Sequence, residues 1–250
     1  MVNGIDKFKE KFKKYSDCYT IIGGAACDVL MKETQFDFRV TKDIDMIILL
    51  EDRYQEFAEA FWEYIKEGGY KCGWKNNDKL HFYRFTEPYP GYPIMIELFS
   101  RRPDYHLEIK NAIIPIHIDD DTSSLSAILL NDDFYDFMIQ GRITIDGLSV
   151  LSAEYLIPFK MYAWLDLKNR KEKGEFVKNA DIKKHKYDVF RLLQIVSIDK
   201  VIPTSGLVRD TVFNFVRLIK DEEIPLKQIN VNMTLDQGLE YLKKLYGIVL

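Results

Sequence analysis

The stretch DIDMIILL at residues 43–50 constrains the fold most. After Asp45 its side chains are apolar on both faces, the pattern of an inner strand covered from both sides. The rest of the first half agrees with a layered α/β arrangement. Ile5, Phe8, Phe12 and Tyr15 recur at helical spacing with lysines between them, which predicts an amphipathic first helix. CYTII (18–22) reads as a short strand ending at Gly23, and residues 24–32 fit a helix. Tyr54, Phe57, Ala58, Phe61 and Ile65 predict another helix, stopped by Gly68 and Gly69. LHFYRF (80–85) and YPIMIELFS (92–100) alternate as strands about the turn-rich TEPYPGY. Residues 104–150 hold short β-prone runs, the acidic DDD at 119–121 and a hairpin through GRITIDGLSVL (141–151).

Beyond residue 150 the pattern changes. Residues 152–170, 178–197, 206–221 and 233–247 carry helical apolar spacing, with Pro203 and Pro225 as punctuation. The expectation is an α/β domain over 1–150 and a helical domain over 151–250. No Gly/Ser-rich linker separates them, so a cleft completed by the helical half is expected.

Composition removes several function classes. The formal net charge is −4, so no global basic field favours nucleic acid. Cys18, Cys27 and Cys72 form no CxxC pair, and the odd count suits free thiols in a reducing cytoplasm. His81, His106, His117 and His185 lack zinc spacing. The opening MVNGIDKFKEKFKKYSD is charged throughout, which predicts no signal peptide, and no apolar run approaches a membrane span.

The chemistry concentrates in residues 20–45, TIIGGAACDVLMKETQFDFRVTKDID. Residues two apart on a strand face one side, so Asp43 and Asp45 project together where a greasy strand begins. Two adjacent anions repel, and partial burial strips their hydration. A hard divalent cation relieves both costs, and Mg²⁺ takes a few carboxylates plus phosphate oxygens. Gly23 and Gly24 let a ligand approach the backbone closely, at a helix start whose free N–H groups attract phosphate. A phosphate cradle beside a carboxylate pair describes a site for a metal-bound nucleoside triphosphate.

The span IIGGAACDVL…RVTKDIDMII resembles the signature of the nucleotidyltransferase superfamily, with its DNA polymerase β-like fold. RVTKDID is similar to the AbiEii-like toxin nucleotidyltransferases, where an Arg and a Ser or Thr precede Asp-Ile-Asp. Here these are Arg39, Thr41, Asp43 and Asp45. The resemblance implies a mixed-sheet nucleotidyltransferase core, a triphosphate bound by Gly23, Gly24, Arg39, Thr41 and Lys160, and a metal site of Asp43, Asp45 and Glu97. Glu97 stands in the apolar-acid-apolar setting IMIELFS, with Asp104 as the other candidate for the third carboxylate. In the helical half, LSAEYLIPFKMYAWLDL carries Lys160 and HKYDVFRLLQ carries Asp188. The family pattern implies that Lys160 contacts the triphosphate and Asp188 orders the site. An isolated lysine of this kind would otherwise be read as snorkelling to solvent. Two departures stand out. The Gly24–Asp43 gap is long, so KETQFDF is expected to loop out, and Gly24 occupies a position that is often serine. GGAACDVL…KDID is also similar to the start of tRNA nucleotidyltransferases, with Asp28 at that family's aspartate, but their further basic motifs are missing.

The implied reaction moves a nucleoside monophosphate from a nucleoside triphosphate to a hydroxyl, with Mg²⁺ or Mn²⁺, releasing pyrophosphate. The acceptor stays open. An RNA (especially a tRNA end) or a protein hydroxyl suits the toxin-like resemblance, which also implies an antitoxin partner. A cationic small molecule of the aminoglycoside kind would suit the acids at 119–121 and 132–136. A nucleotide-binding protein without turnover is the third alternative.

Overall fold

Residues 2–49, 53–76, 79–99, 106–109, 112–115 and 131–249 are described by a computed structural model. Among them the chain is mixed α/β, with eight α-helices and a seven-stranded mixed sheet. It divides into two compact units, residues 1–121 with 142–151 and residues 122–141 with 152–250.

The first unit is built on the sheet. In chain order its elements are α1 (Ile5–Phe12), β1 (Tyr19–Ile22), α2 (Gly23–Glu33), β2 (Asp43–Ile48), α3 (Tyr54–Glu67), β3 (Lys71–Asn76), β4 (Lys79–Thr86) and β5 (Met95–Phe99). A separate two-stranded ribbon follows, β6 (His106–Ile109) and β7 (Ala112–Pro115). The strand order is β3-β4-β5-β2-β1-β9-β8, where β8 and β9 are the hairpin discussed next. That hairpin, β8 at Arg142–Ile145 and β9 at Leu148–Leu151, comes from beyond the two-stranded ribbon in sequence, and its strand β9 pairs with β1 in parallel. The segment DIDMII is the inner strand β2, antiparallel to β1 and parallel to β5, as its two-sided apolar pattern requires.

One face of this sheet is sealed by aromatics. Phe8 and Phe12 of α1 and Phe57 of α3 pack on Tyr19 of β1, with ring centroids 5.8, 6.4 and 6.0 Å away. Phe61 and Trp62 of α3 meet Phe85 of β4 edge-on at 5.3 and 5.7 Å. Tyr19 pairs across the ladder with Ile48, so Ile44, Met46 and Ile48 share the face that α1 and α3 cover. Alternation therefore turns Asp43, Asp45 and Ile47 to the other face.

The second unit is helical. It comprises α4 (Asp132–Gln140), α5 (Ala153–Glu172), α6 (Asn179–Leu193), α7 (Gly206–Ile219) and α8 (Leu235–Tyr246). α5 packs on α6 and α7, and α7 on α4 and α8. Trp164, Phe190 and Phe215 meet at its centre, each fully buried. α4 was not expected, because residues 104–150 read as β-prone. Its start is nonetheless marked: Asn131 Oδ1 accepts from the Phe134 amide at 3.3 Å, and Asp132 and Asp133 occupy the first turn. Strand β3 also lies outside the expected elements. No helix among the described residues is long and apolar enough to cross a membrane.

Candidate functional site

The loop after β1 decides the geometry. β1 ends at Ile22, and Gly23 turns the chain into α2 with φ +68°, a left-handed conformation that side chains resist. A Cβ on Gly23 would lie 2.0 Å from Asp45 Oδ2, so the Asp45 carboxylate rests against the bare Cα. A Cβ on Gly24 would lie 2.5 Å from Thr41 Oγ1 and 3.6 Å from an Nη of Arg39. The residues between α2 and β2 thus fold back over the helix start. α2 runs on to Glu33 and takes up Lys32 and Glu33, the first two residues of the stretch expected to loop out; its remainder, 34–38, lies outside helix and strand, with Phe36 exposed.

Register supplies the rest. Ile22 stands opposite Asp45 on the antiparallel side, and Glu97 stands opposite Asp45 on the parallel side. Asp43 is opposite Met95. Asp43, Asp45 and Glu97 therefore share the sheet face away from α1 and α3, and all three are half-buried. Two carboxylates two residues apart, beside a helix start whose N-cap Ile22 supplies no side-chain hydrogen bond, form a mixed-charge corner. Thr41 is buried there and Arg39 is partly covered, its guanidinium 5.0 Å from the Phe38 ring. Seven of the expected residues are thus gathered in one unit: Gly23, Gly24, Arg39, Thr41, Asp43, Asp45 and Glu97.

Glu97 has a partner that sequence reading missed. Arg84 lies directly opposite it on β4, and its Nε donates to Glu97 Oε1 at 2.5 Å. The guanidinium neutralises the carboxylate nearest Asp45 in register. Among the described residues, no group of three or more His, Cys, Asp or Glu side chains converges to hold a metal. Asp43 and Asp45, with phosphate oxygens and water filling a coordination shell, still fit a hard divalent ion. The pairing of Arg84 with Glu97 could be found only from strand register, since each residue alone reads as an ordinary strand position. Asp104, the alternative third carboxylate, lies outside the described residues, as do the acids at 119–121.

Lys160 and Asp188 belong to the helical unit. Lys160 is 4% exposed and does not snorkel; its Nζ lies 3.6 Å from Asp188 Oδ2. Asp188 is fully buried and also receives Arg191 Nη1 at 3.1 Å on its other oxygen. The two residues, given separate roles by the resemblance, form a direct buried ion pair between α5 and α6. Lys186 is buried as well, and its Nζ donates to Glu222 Oε2 at 2.7 Å. Asp28 accepts the Val2 amide at 2.7 Å in the interior, which ties the chain start to α2. Asp133, one of the acids considered for a cationic acceptor, accepts the Leu207 amide at 2.8 Å and caps α7.

No protein-family model matches this chain, and no curated protein matches it.

Proposed function

We propose that the chain is a metal-dependent nucleotidyltransferase of the DNA polymerase β-like kind, resembling the AbiEii-like toxins. One observation carries the reading: the Asp45 carboxylate occupies the space that a Gly23 side chain would fill. The glycine pair and the aspartate pair, about twenty residues apart in sequence, thereby become one corner. Simple turn chemistry needs a glycine at φ +68° but does not need a carboxylate pressed against it.

In this reading the amides opening α2 and the Arg39 guanidinium hold the triphosphate, with the Thr41 hydroxyl beside Gly24. Asp43 and Asp45 would hold Mg²⁺ or Mn²⁺, which when bound offsets phosphate charge and polarises the reacting oxygens. A hydroxyl of the acceptor attacks the α-phosphorus and releases its proton to solvent water, the bond from that phosphorus to the oxygen bridging to the β-phosphate breaks, and pyrophosphate departs with that oxygen. Positioning and electrostatics do most of the work in such transfers. Arg84 holds the Glu97 carboxylate in place beside Asp45 and lowers the negative charge of the corner. Lys160 is assigned to the triphosphate by resemblance alone; to serve there its amine must exchange Asp188 for phosphate.

The test is incubation with each α-labelled nucleoside triphosphate, Mg²⁺ and separate RNA, protein and small-molecule acceptor pools. Label is expected in a macromolecular pool, and Asp45→Asn is expected to abolish it while the melting temperature stays within a few degrees. Label in aminoglycosides alone would move the reading to the small-molecule class. Nucleotide binding without pyrophosphate release would leave a binding protein.

A further inference from the structure

The chain is acidic overall, but its charge is unevenly placed. Residues 168–186 hold eight Lys and Arg against three Asp and Glu, a net of +5 in a chain of −4. These residues form the distal half of α5, the connection at 173–178 and the first half of α6. Around them lies a recess of about 450 Å³ lined by Lys168, Lys171, Lys183 and Lys186, with Glu172 and Glu222 as its acids. Glu222 bridges Lys168 and Lys186 at 3.0 and 2.7 Å, fixing the floor of the recess, while Lys171 and Lys183 stand exposed on its rim. At the tip Phe176 is 90% exposed, flanked by exposed Glu175 and half-buried Val177. Folding gains nothing from a phenylalanine held in water, whereas a base can stack on it.

We propose that this hairpin of α5 and α6 docks single-stranded RNA, its rim lysines on phosphates and Phe176 against a base. Charge complementarity selects a polyanion, and the lone aromatic at the tip selects one with unpaired bases over a duplex or a lipid surface. The inference rests on the nucleotide-transfer reading in one respect only, that it names RNA as the acceptor.

The experiment measures binding of a fluorescent single-stranded RNA 20-mer to the full chain across a salt series. Contacts from the two rim lysines predict that log affinity falls against log salt with a slope of about −1.4, at about −0.7 per phosphate contact. Lys171→Glu with Lys183→Glu is expected to weaken binding at least about tenfold at 0.1 M salt and to flatten the slope. Phe176→Ala is expected to weaken it about tenfold with the slope unchanged, since stacking carries no counterion release. All three positions are exposed, so unchanged melting curves serve as the folding control. Equal affinity in wild type and variants overturns the proposal, as does tighter binding to phosphatidylserine vesicles or to duplex RNA. Asp45→Asn separates the two readings: the docking surface predicts full RNA binding in that variant whether or not transfer is lost.

Discussion

Gly23 carries two constraints at once, its φ of +68° and the Asp45 oxygen 2.0 Å from where a Cβ would be. The first alone makes Gly23→Ala cost about 1–2 kcal/mol. The second forces Asp45 off its position, so the variant is expected to lose transfer at least about 100-fold while remaining folded, because the reacting groups tolerate little misplacement. Urea unfolding and label transfer on the same preparation check both parts, and full activity in a folded Gly23→Ala protein would remove the carboxylate corner from the mechanism. The second residue-scale expectation concerns Asp188, fully buried between Lys160 and Arg191. Asp188→Asn leaves a buried ammonium without its counter-charge, and breaking such a pair from one side costs about 3–5 kcal/mol. Lys160→Met is expected to cost less, since Arg191 still neutralises Asp188 and the methionine keeps most of the packed stem. Denaturant midpoints of the two variants decide the order.

Pro158 lies inside α5 and has no N–H to give to the Glu154 carbonyl four residues back. The Tyr246 hydroxyl at the end of α8 donates to that carbonyl at 2.6 Å, replacing the lost helical bond with one between elements. Tyr246→Phe removes only the oxygen but strands a buried acceptor, so a loss of about 1–3 kcal/mol is expected in equilibrium unfolding. Glu222 acts likewise, joining α5 and α6 to the turn after α7. Hydrogen bonding from Lys186, then from Lys168, holds its carboxyl below the usual value. A lowered folded-state pKa gives stability that is complete above the unfolded-state value of 4.5 and is lost as pH falls through the folded one. The stability gap between wild type and Glu222→Gln should therefore shrink below about pH 4.5, and as Glu222 is partly exposed the gap at pH 7 should stay near or under about 1 kcal/mol. Elements of this length were legible in the sequence. α5, α6, α7 and α8 repeat their apolar spacing over three or more turns, and the two-sided apolar run marked β2 as an inner strand. The pairing of β2 with β5 was not legible, because register depends on which residues meet across strands and no local pattern encodes that. Hence Asp43 and Asp45 could be read from the chain, while Arg84 opposite Glu97 could not.

The chain's path between its units limits what any cut can isolate. Residues 122–141 belong with the helices, then 142–151 belong with the sheet, and the chain rejoins the helices at 152. A boundary drawn at 150, where helical periodicity takes over in sequence, strands α4 on the wrong side. Its signal was present but short: Phe134, Phe137 and Met138 lie at helical spacing between Asn131 and Gly141, too brief a run to stand out from its β-prone surroundings. All three are buried, and Phe134 packs edge-on against Phe159 of α5 at 5.0 Å. Asp133, next to them, caps α7. Removing α4 therefore uncovers an apolar face of α5 and frees the start of α7 together, whereas removing the sheet unit takes away neither. A fragment of residues 131–250 is accordingly expected to melt cooperatively and to keep its near-ultraviolet circular dichroism. A fragment of residues 151–250 should retain helical far-ultraviolet signal with weakened or absent near-ultraviolet signal, the behaviour of helices without fixed packing. Equal cooperativity in the two fragments would show that α4 is an accessory to the helical unit rather than part of its core.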